Sequence, residues 1–182
     1  MSKKRRLGMV MLGLSMMVLS FGCAKKEVKK ATFHSEHGVT ITYPEDWEIK
    51  KEELHAGMPI LLMKNDNANE EEFNSNINLN IISHKGEELD FNKFMQINKN
   101  YLTLHNIKLQ EEAAVTIDGH PAYKLVYHMV DQGDALTLVQ YLQLYDEVGY
   151  TTTFVCLDEK YDALKEEAIE IMEGFHYDFN KK

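Results

Sequence analysis

The chain has 182 residues, 44% of them apolar, a formal charge of −9 and two cysteines. That is enough apolar content for one domain with a real core and too acidic for a surface that neutralises nucleic-acid phosphates. Its only two arginines are Arg5 and Arg6, so the body of the protein lacks the side chain best suited to planar phosphate or carboxylate recognition.

The N-terminus reads as an address. Residues 3–6 are KKRR, and residues 7–21 form an uncharged apolar run of fifteen residues. A membrane-spanning helix needs about twenty. A basic start, a short apolar centre and a small-residue exit describe an export signal over residues 1–22. Leu19-Ser20-Phe21-Gly22-Cys23 resembles a bacterial lipobox, although its leucine stands one place early and Phe21 is bulky. That resemblance implies cleavage between Gly22 and Cys23 and a lipid on Cys23, with a Lys-rich tether over residues 23–30. Loss of Lys3, Lys4, Arg5 and Arg6 with the signal takes the charge from −9 to −13. Cys156 is then the only thiol left, so no internal disulfide is expected.

Residues 31–182 read as one domain. A short strand near Phe33 turns at Gly38 into VTITY (39–43), whose alternation predicts a half-buried strand. Pro44-Glu45-Asp46 breaks the ladder, and Trp47 is expected to pack on the sheet. Residues 59–64 and 77–83 predict two more strands, the second with Ile77, Leu79 and Ile81 on one face and Asn78 and Asn80 on the other. Between them NDNANEEEFNSN (65–76) reads as a solvated loop.

Asp90 is placed to cap a helix whose apolar stripe is Phe91, Phe94, Ile97, Tyr101 and Leu102. Four strands follow, at 109–117, 123–130, 136–145 and 150–157. The turns between them are expected at Asp118-Gly119, Gln132-Gly133-Asp134 and Glu147 to Gly149. Tyr123, Leu125, Tyr127 and Met129 share one face of the second strand, and the third is apolar on both faces, which predicts a covered interior strand. Short connections predict an antiparallel meander. Asp158 is expected to cap a last helix with a stripe of Tyr161, Leu164, Ala168, Ile171 and Phe175, ended by Gly174. The fold class is therefore α+β: helices packed on a mostly antiparallel central sheet.

Three stretches carry a resemblance: YPEDW (43–47), DGHPAYKLVY (118–127) and GFHY (174–177). With the order of elements they make residues 31–179 similar to the PsbP-like superfamily, which includes bacterial lipoproteins of the DcrB type. The resemblance implies a central antiparallel sheet between helices and a role in binding partners without catalysis. It transfers no site residue, because the shared residues are packing and turn residues.

The chemistry in the chain is sparse. No phosphate loop, dinucleotide fingerprint, nucleophile elbow, H-E-x-x-H or C-x-x-C occurs, and no cofactor is expected. Beyond residue 22 the serines are Ser35, Ser75 and Ser83, none in a nucleophile turn. Cys156 shares a strand face with Phe154 and reads as a core thiol. The histidines are scattered, none at i, i+4 on a helix. In the 65–76 loop Asp66, Ala68 and Glu70 match EF-hand ligand places, but Ala68 cannot ligate, Glu71 stands for the required glycine and Ile77 for the closing glutamate. Trp47, Asp66 and Glu70 remain candidate contacts for a ligand or partner.

The sequence thus leads to a lipid-anchored extracytoplasmic module at the cell envelope, monomeric in its domain and not an enzyme. Its partner would be an envelope protein, and no nucleic acid is expected. Two rival readings are a binder of a small solute or divalent cation, and a hydrolase with an unrecognised site.

Overall fold

The computed structural model describes residues 28–66 and 73–179. The signal segment, Gly22, Cys23 and Glu70 lie outside the described residues. The strands are β1 (Lys30–His34), β2 (Val39–Pro44), β3 (Trp47–Ile49), β4 (Ile60–Lys64), β5 (Asn76–Ser83), β6 (Lys108–Ile117), β7 (His120–Asp131), β8 (Asp134–Tyr145), β9 (Val148–Leu157) and β10 (His176–Tyr177). The helices are α1 (Phe91–Leu104) and α2 (Tyr161–Glu173).

Seven strands form one sheet in the order β3-β4-β5-β9-β8-β7-β6, and β1-β2-β10 form a separate sheet of three. Every pairing is antiparallel. The expected α+β class and the β6–β9 meander are therefore present. The split into two sheets happens at YPEDW. Pro44 closes β2 opposite Lys30, and after Glu45 and Asp46 the chain resumes at once as β3, with Trp47 opposite Lys64 of β4. The expected break is thus a change of sheet. It turns Trp47 inward, where it is 2% exposed.

Period-two patterning places a core on each face of the large sheet. On one face Ile60, Leu62, Ile77, Leu79, Val139 and Phe154 meet Ala168, Ile171 and Met172 of α2 and Val39 and Ile41 of β2. On the other, Leu125, Tyr127, Leu138 and Leu142 meet Phe94 and Leu102 of α1. β8 feeds both cores, as an interior strand apolar on both faces should.

Several local expectations need correction. Asp90 does cap α1, accepting from the Lys93 amide at 2.8 Å. The α1 stripe is narrower than its spacing suggests: Phe94 and Leu102 are buried, while Ile97 and Tyr101 stand 50% and 57% exposed. Asp158 does not cap α2. It opens a 3-10 turn, Asp158–Lys160, and α2 starts at Tyr161 with no side-chain cap. The β8–β9 turn is Asp146-Glu147, both at positive φ, and Gly149 lies within β9. Gly149 serves a different need, because a Cβ there would stand 2.9 Å from the Phe94 ring of α1.

Candidate functional site

The nearest approach to a catalytic constellation sits where the meander meets the start of α2. His128, Thr137 and Cys156 are neighbours in register across β7, β8 and β9. Thr137 donates its hydroxyl to Asp158 Oδ1, and His128 Nδ1 lies 2.9 Å from the same oxygen. An ionised carboxylate only accepts, so the proton in that contact is on Nδ1. The ring atom facing Thr137 therefore carries a proton and cannot take one from the Thr137 hydroxyl. Cys156 is fully buried, and burial first, then the Asp158 and Asp66 charges, push its thiol up to about 12. That shift favours the neutral thiol over the thiolate, the form that reacts as a nucleophile. The carboxylate that was expected at a helix cap instead pins the 3-10 turn to the sheet.

Asp66 is likewise engaged internally. Its carboxylate accepts the Ser75 hydroxyl at 2.7 Å and the Ser75 amide at 3.2 Å, and Lys160 Nζ stands 3.3 Å from Oδ2. The Asp66 side chain is 9% exposed. Trp47 is no surface contact either. Its indole donates to Glu167 Oε1 at 2.8 Å, and the Lys64 ammonium lies 5.1 Å from its ring centroid. Among the described residues no group of three or more His, Cys, Asp or Glu is placed to hold a metal ion.

These clasps predict an acid response. Burial pushes the carboxyls of Asp66, Asp118 and Asp158 up, but the donors facing them win: Ser75 and Lys160 on Asp66, the Tyr177 amide and His176 on Asp118, and Thr137 and His128 on Asp158. All three end below the ordinary value of 3.8. A depressed carboxyl contributes stability that is complete above its unfolded pKa and lost as pH falls through the folded one. Urea midpoints are expected to be insensitive to these three groups above about pH 5 and to drop below about pH 4. Asp66→Asn should flatten that drop; an unchanged acid limb would show that the Ser75–Lys160 clasp contributes nothing.

What remains open is surface. A cleft of about 550 Å³ runs between the first hairpin and α2, floored by Pro44, Ala163 and Ile171 and rimmed by Glu166, Glu167 and Glu170. Lys30 already closes part of it, 2.7 Å from Glu170. A second cavity, of about 390 Å³, gathers His34, His37 and His55 around the β1–β2 turn. A third, of about 260 Å³, lies on the other side of that turn against Tyr145, Tyr150 and Phe179. The histidines looked scattered because their meeting depends on the turn folding back over the segment before β4. On the opposite side of the molecule α1 presents Ile97, Tyr101 and Leu104, at i, i+4 and i+7, with Leu104 79% exposed. Val130, 71% exposed, shares with Tyr101 a depression of about 310 Å³. No signal in the α1 periodicity separates these exposed apolar residues from the buried ones. Among the described residues no helix is long and apolar enough to cross a membrane.

The model of the PsbP-like protein family matches residues 22–176. The chain belongs to the PsbP-like family. No curated protein sequence matches it. The structure of cyanobacterial PsbP from Synechocystis superposes on this PsbP-like chain with a TM-score of 0.60 at 12% identity, over 87% of this chain and 98% of that one. LpqN of Mycobacterium tuberculosis, described as involved in cell envelope biogenesis, gives 0.60 at 17% identity over 82% and 91%. The Saccharomyces cerevisiae Ran-binding protein Mog1p gives 0.56 at 13% identity over 82% and 96%. At these identities the likeness is one of fold.

Proposed function

We propose that this PsbP-like protein is a lipid-anchored extracytoplasmic module that binds a partner protein at the cell envelope without catalysing a reaction. The observation that carries the binding role is the exposed apolar stripe of α1, Ile97, Tyr101 and Leu104, continued by Val130. Ile97, Tyr101 and Leu104 share one helix face at i, i+4 and i+7, Tyr101 and Val130 line one depression, and apolar side chains grouped in this way suit an interaction face. The described groups nearest to chemistry, Cys156, Asp66 and Asp158, are all spent on internal contacts. The envelope part rests on the basic, apolar and cysteine pattern of residues 3–23 and accords with the description of LpqN as an envelope-biogenesis protein. A lipid at Cys23 would confine the domain near the bilayer and raise its effective concentration toward membrane partners.

Two measurements test this. Cys23→Ala should abolish lipid labelling and release the protein from membranes; a variant that stays membrane-bound would sink the lipoprotein reading. In crosslinking from intact membranes, Tyr101→Asp with Leu104→Asp should lose the partner adduct at unchanged expression and melting. An adduct that survives this pair would remove α1 as the contact.

A further inference from the structure

We infer that the cavity between the β1–β2 turn and the segment before β4 binds a small organic carboxylate, its charged end among histidines and a lysine and its alkyl chain on apolar wall. It lies on a different surface from the α1 face, and the two stand or fall separately.

Two turns build this cavity of about 390 Å³, a volume within the range of small-ligand sites. The first is the β1–β2 turn, where the Ser35 amide donates to the Val39 carbonyl at 2.7 Å and the Gly38 amide to the Ser35 carbonyl at 3.2 Å. The second follows the 3-10 turn Lys51–Glu53. There His55 and Met58 exchange both backbone hydrogen bonds, at 3.2 Å and 2.9 Å, and the Ile81 amide of β5 donates to the Gly57 carbonyl at 2.8 Å. Main-chain bonds thus hold the cradle in shape without a ligand, which lowers the cost of binding one.

The polar lining is rich in donors: His34, Ser35, His37, Lys51 and His55. The Gly57 amide donates to His55 Nδ1 at 3.2 Å. A ring nitrogen that accepts carries no proton, so the neutral His55 ring has its proton on Nε2 and offers a donor there. A metal would need a lone pair at that atom. Ser35 is 7% exposed, and its hydroxyl oxygen accepts from the His37 amide at 3.1 Å. Among the described residues the Ser35 hydroxyl proton has no acceptor. A buried donor left unspent is costly, and a ligand oxygen would satisfy it. Lys51 has no carboxylate within ion-pair distance among the described residues. A lysine and three histidines on one cavity are a local concentration of cation-capable groups in a chain of charge −9. Glu36 opposes them as a lining carboxylate, so the site has room for one negative charge rather than two. A phosphate dianion calls for more fixed cations or an arginine fork. Phe33, Leu54 and Pro59 complete the lining, and Phe33 and Leu54 are packed against the main core, so the apolar wall is firm.

The purified full chain is titrated with sodium butyrate, against sodium chloride at equal ionic strength, near pH ~7.5 where unperturbed histidines are mostly neutral. Histidine ring resonances are followed. Saturable shifts of His34, His37 and His55, absent with chloride and absent at His105 and His176, are expected. Lys51 and Glu36 are both exposed, so their variants test charge without disturbing the core. Lys51→Gln should weaken butyrate binding about fivefold, and Glu36→Gln should strengthen it about threefold. Acetate, which lacks the longer alkyl chain, and inorganic phosphate should both bind more weakly than butyrate. Shifts that are linear, equal for chloride, or unchanged by Lys51→Gln overturn the site. Weaker binding in Glu36→Gln overturns the anion, and phosphate binding tighter than butyrate overturns the carboxylate. Acetate binding as tight as butyrate overturns the apolar wall. Butyrate binding and the α1 crosslink are read separately, so failure of this site with an intact crosslink leaves the partner-binding proposal standing.

Discussion

Trp47→Ala is expected to lower the unfolding free energy by about 3–5 kcal/mol, the range for large-to-small changes in a packed core. Trp47 is the single tryptophan of the chain and sits at the change of sheet between β2 and β3. Its ring is 2% exposed and packs 6.5 Å, centroid to centroid, from Phe154 of β9. Its indole N–H and the Lys64 ammonium converge on one Glu167 oxygen, at 2.8 Å and 2.6 Å. The side chain therefore ties three things together: the short edge strand, the interior of the sheet and α2. Its removal opens a cavity and takes a donor from Glu167. Trp47→Phe keeps most of the volume and loses only the donor, and is expected to cost about 1–2 kcal/mol. Urea titration followed by circular dichroism decides the matter, since the fluorophore itself is removed. A Trp47→Ala protein that melts like the parent would mean that β3 and α2 are held elsewhere.

Gly149→Ala is expected to cost about 1–3 kcal/mol by overpacking. The added Cβ would lie 2.9 Å from Phe94 Cε2 and Cζ and 3.2 Å from His84 Nε2. Neither side yields easily. Gly149 is paired on both edges of its strand, to Ile82 and to Leu144. Phe94 is 6% exposed and held in the second core. Relief has to come from α1 lifting off the sheet. Amide exchange should therefore speed in α1 while β7 and β8 stay protected. Phe94→Leu should couple with it, the double variant losing less than the sum of the two. Gly57→Ala is the control. Its Cβ would meet the His55 ring at 3.4 Å and the Ile81 carbonyl at 3.9 Å, ordinary contacts, and stability should hardly move. Equal effects at Gly57 and Gly149 would show that the loss is one of backbone freedom and not of room under Phe94.

Much of this protein was legible in local pattern. Alternation at Val39, Ile41 and at Ile77, Leu79 marks strands because a pleat exposes every second residue to one core. Asp90 reads as a cap because the first amides of a helix need an acceptor, and the structure supplies that bond. The run of β8, apolar on both faces, announces an interior strand, and the short turns between β6 and β9 announce a meander. These features are decided within one or two turns of chain, where spacing and residue chemistry are sufficient. The absence of a catalytic motif is a sequence fact of the same kind.

Other features were decided only by residues distant in the chain. Asp158 has the chemistry of a cap, but Thr137 and His128, brought beside it by two strand pairings, offer better donors. Gly149 has the chemistry of a turn, yet its place is set by Phe94, fifty-five residues earlier on another layer. Ile97 and Tyr101 share the period of Phe94 and Leu102, but the sheet beneath α1 covers only part of that stripe. His34, His37 and His55, and likewise Tyr145, Tyr150 and Phe179 with Glu36, become neighbours only when the separate three-stranded sheet seats against the large one. Local spacing sets which way a side chain points from its own strand or helix. What it then meets depends on how the layers stack, which gathers His34, His37 and His55 around one cavity and leaves Ile97, Tyr101 and Leu104 of α1 uncovered.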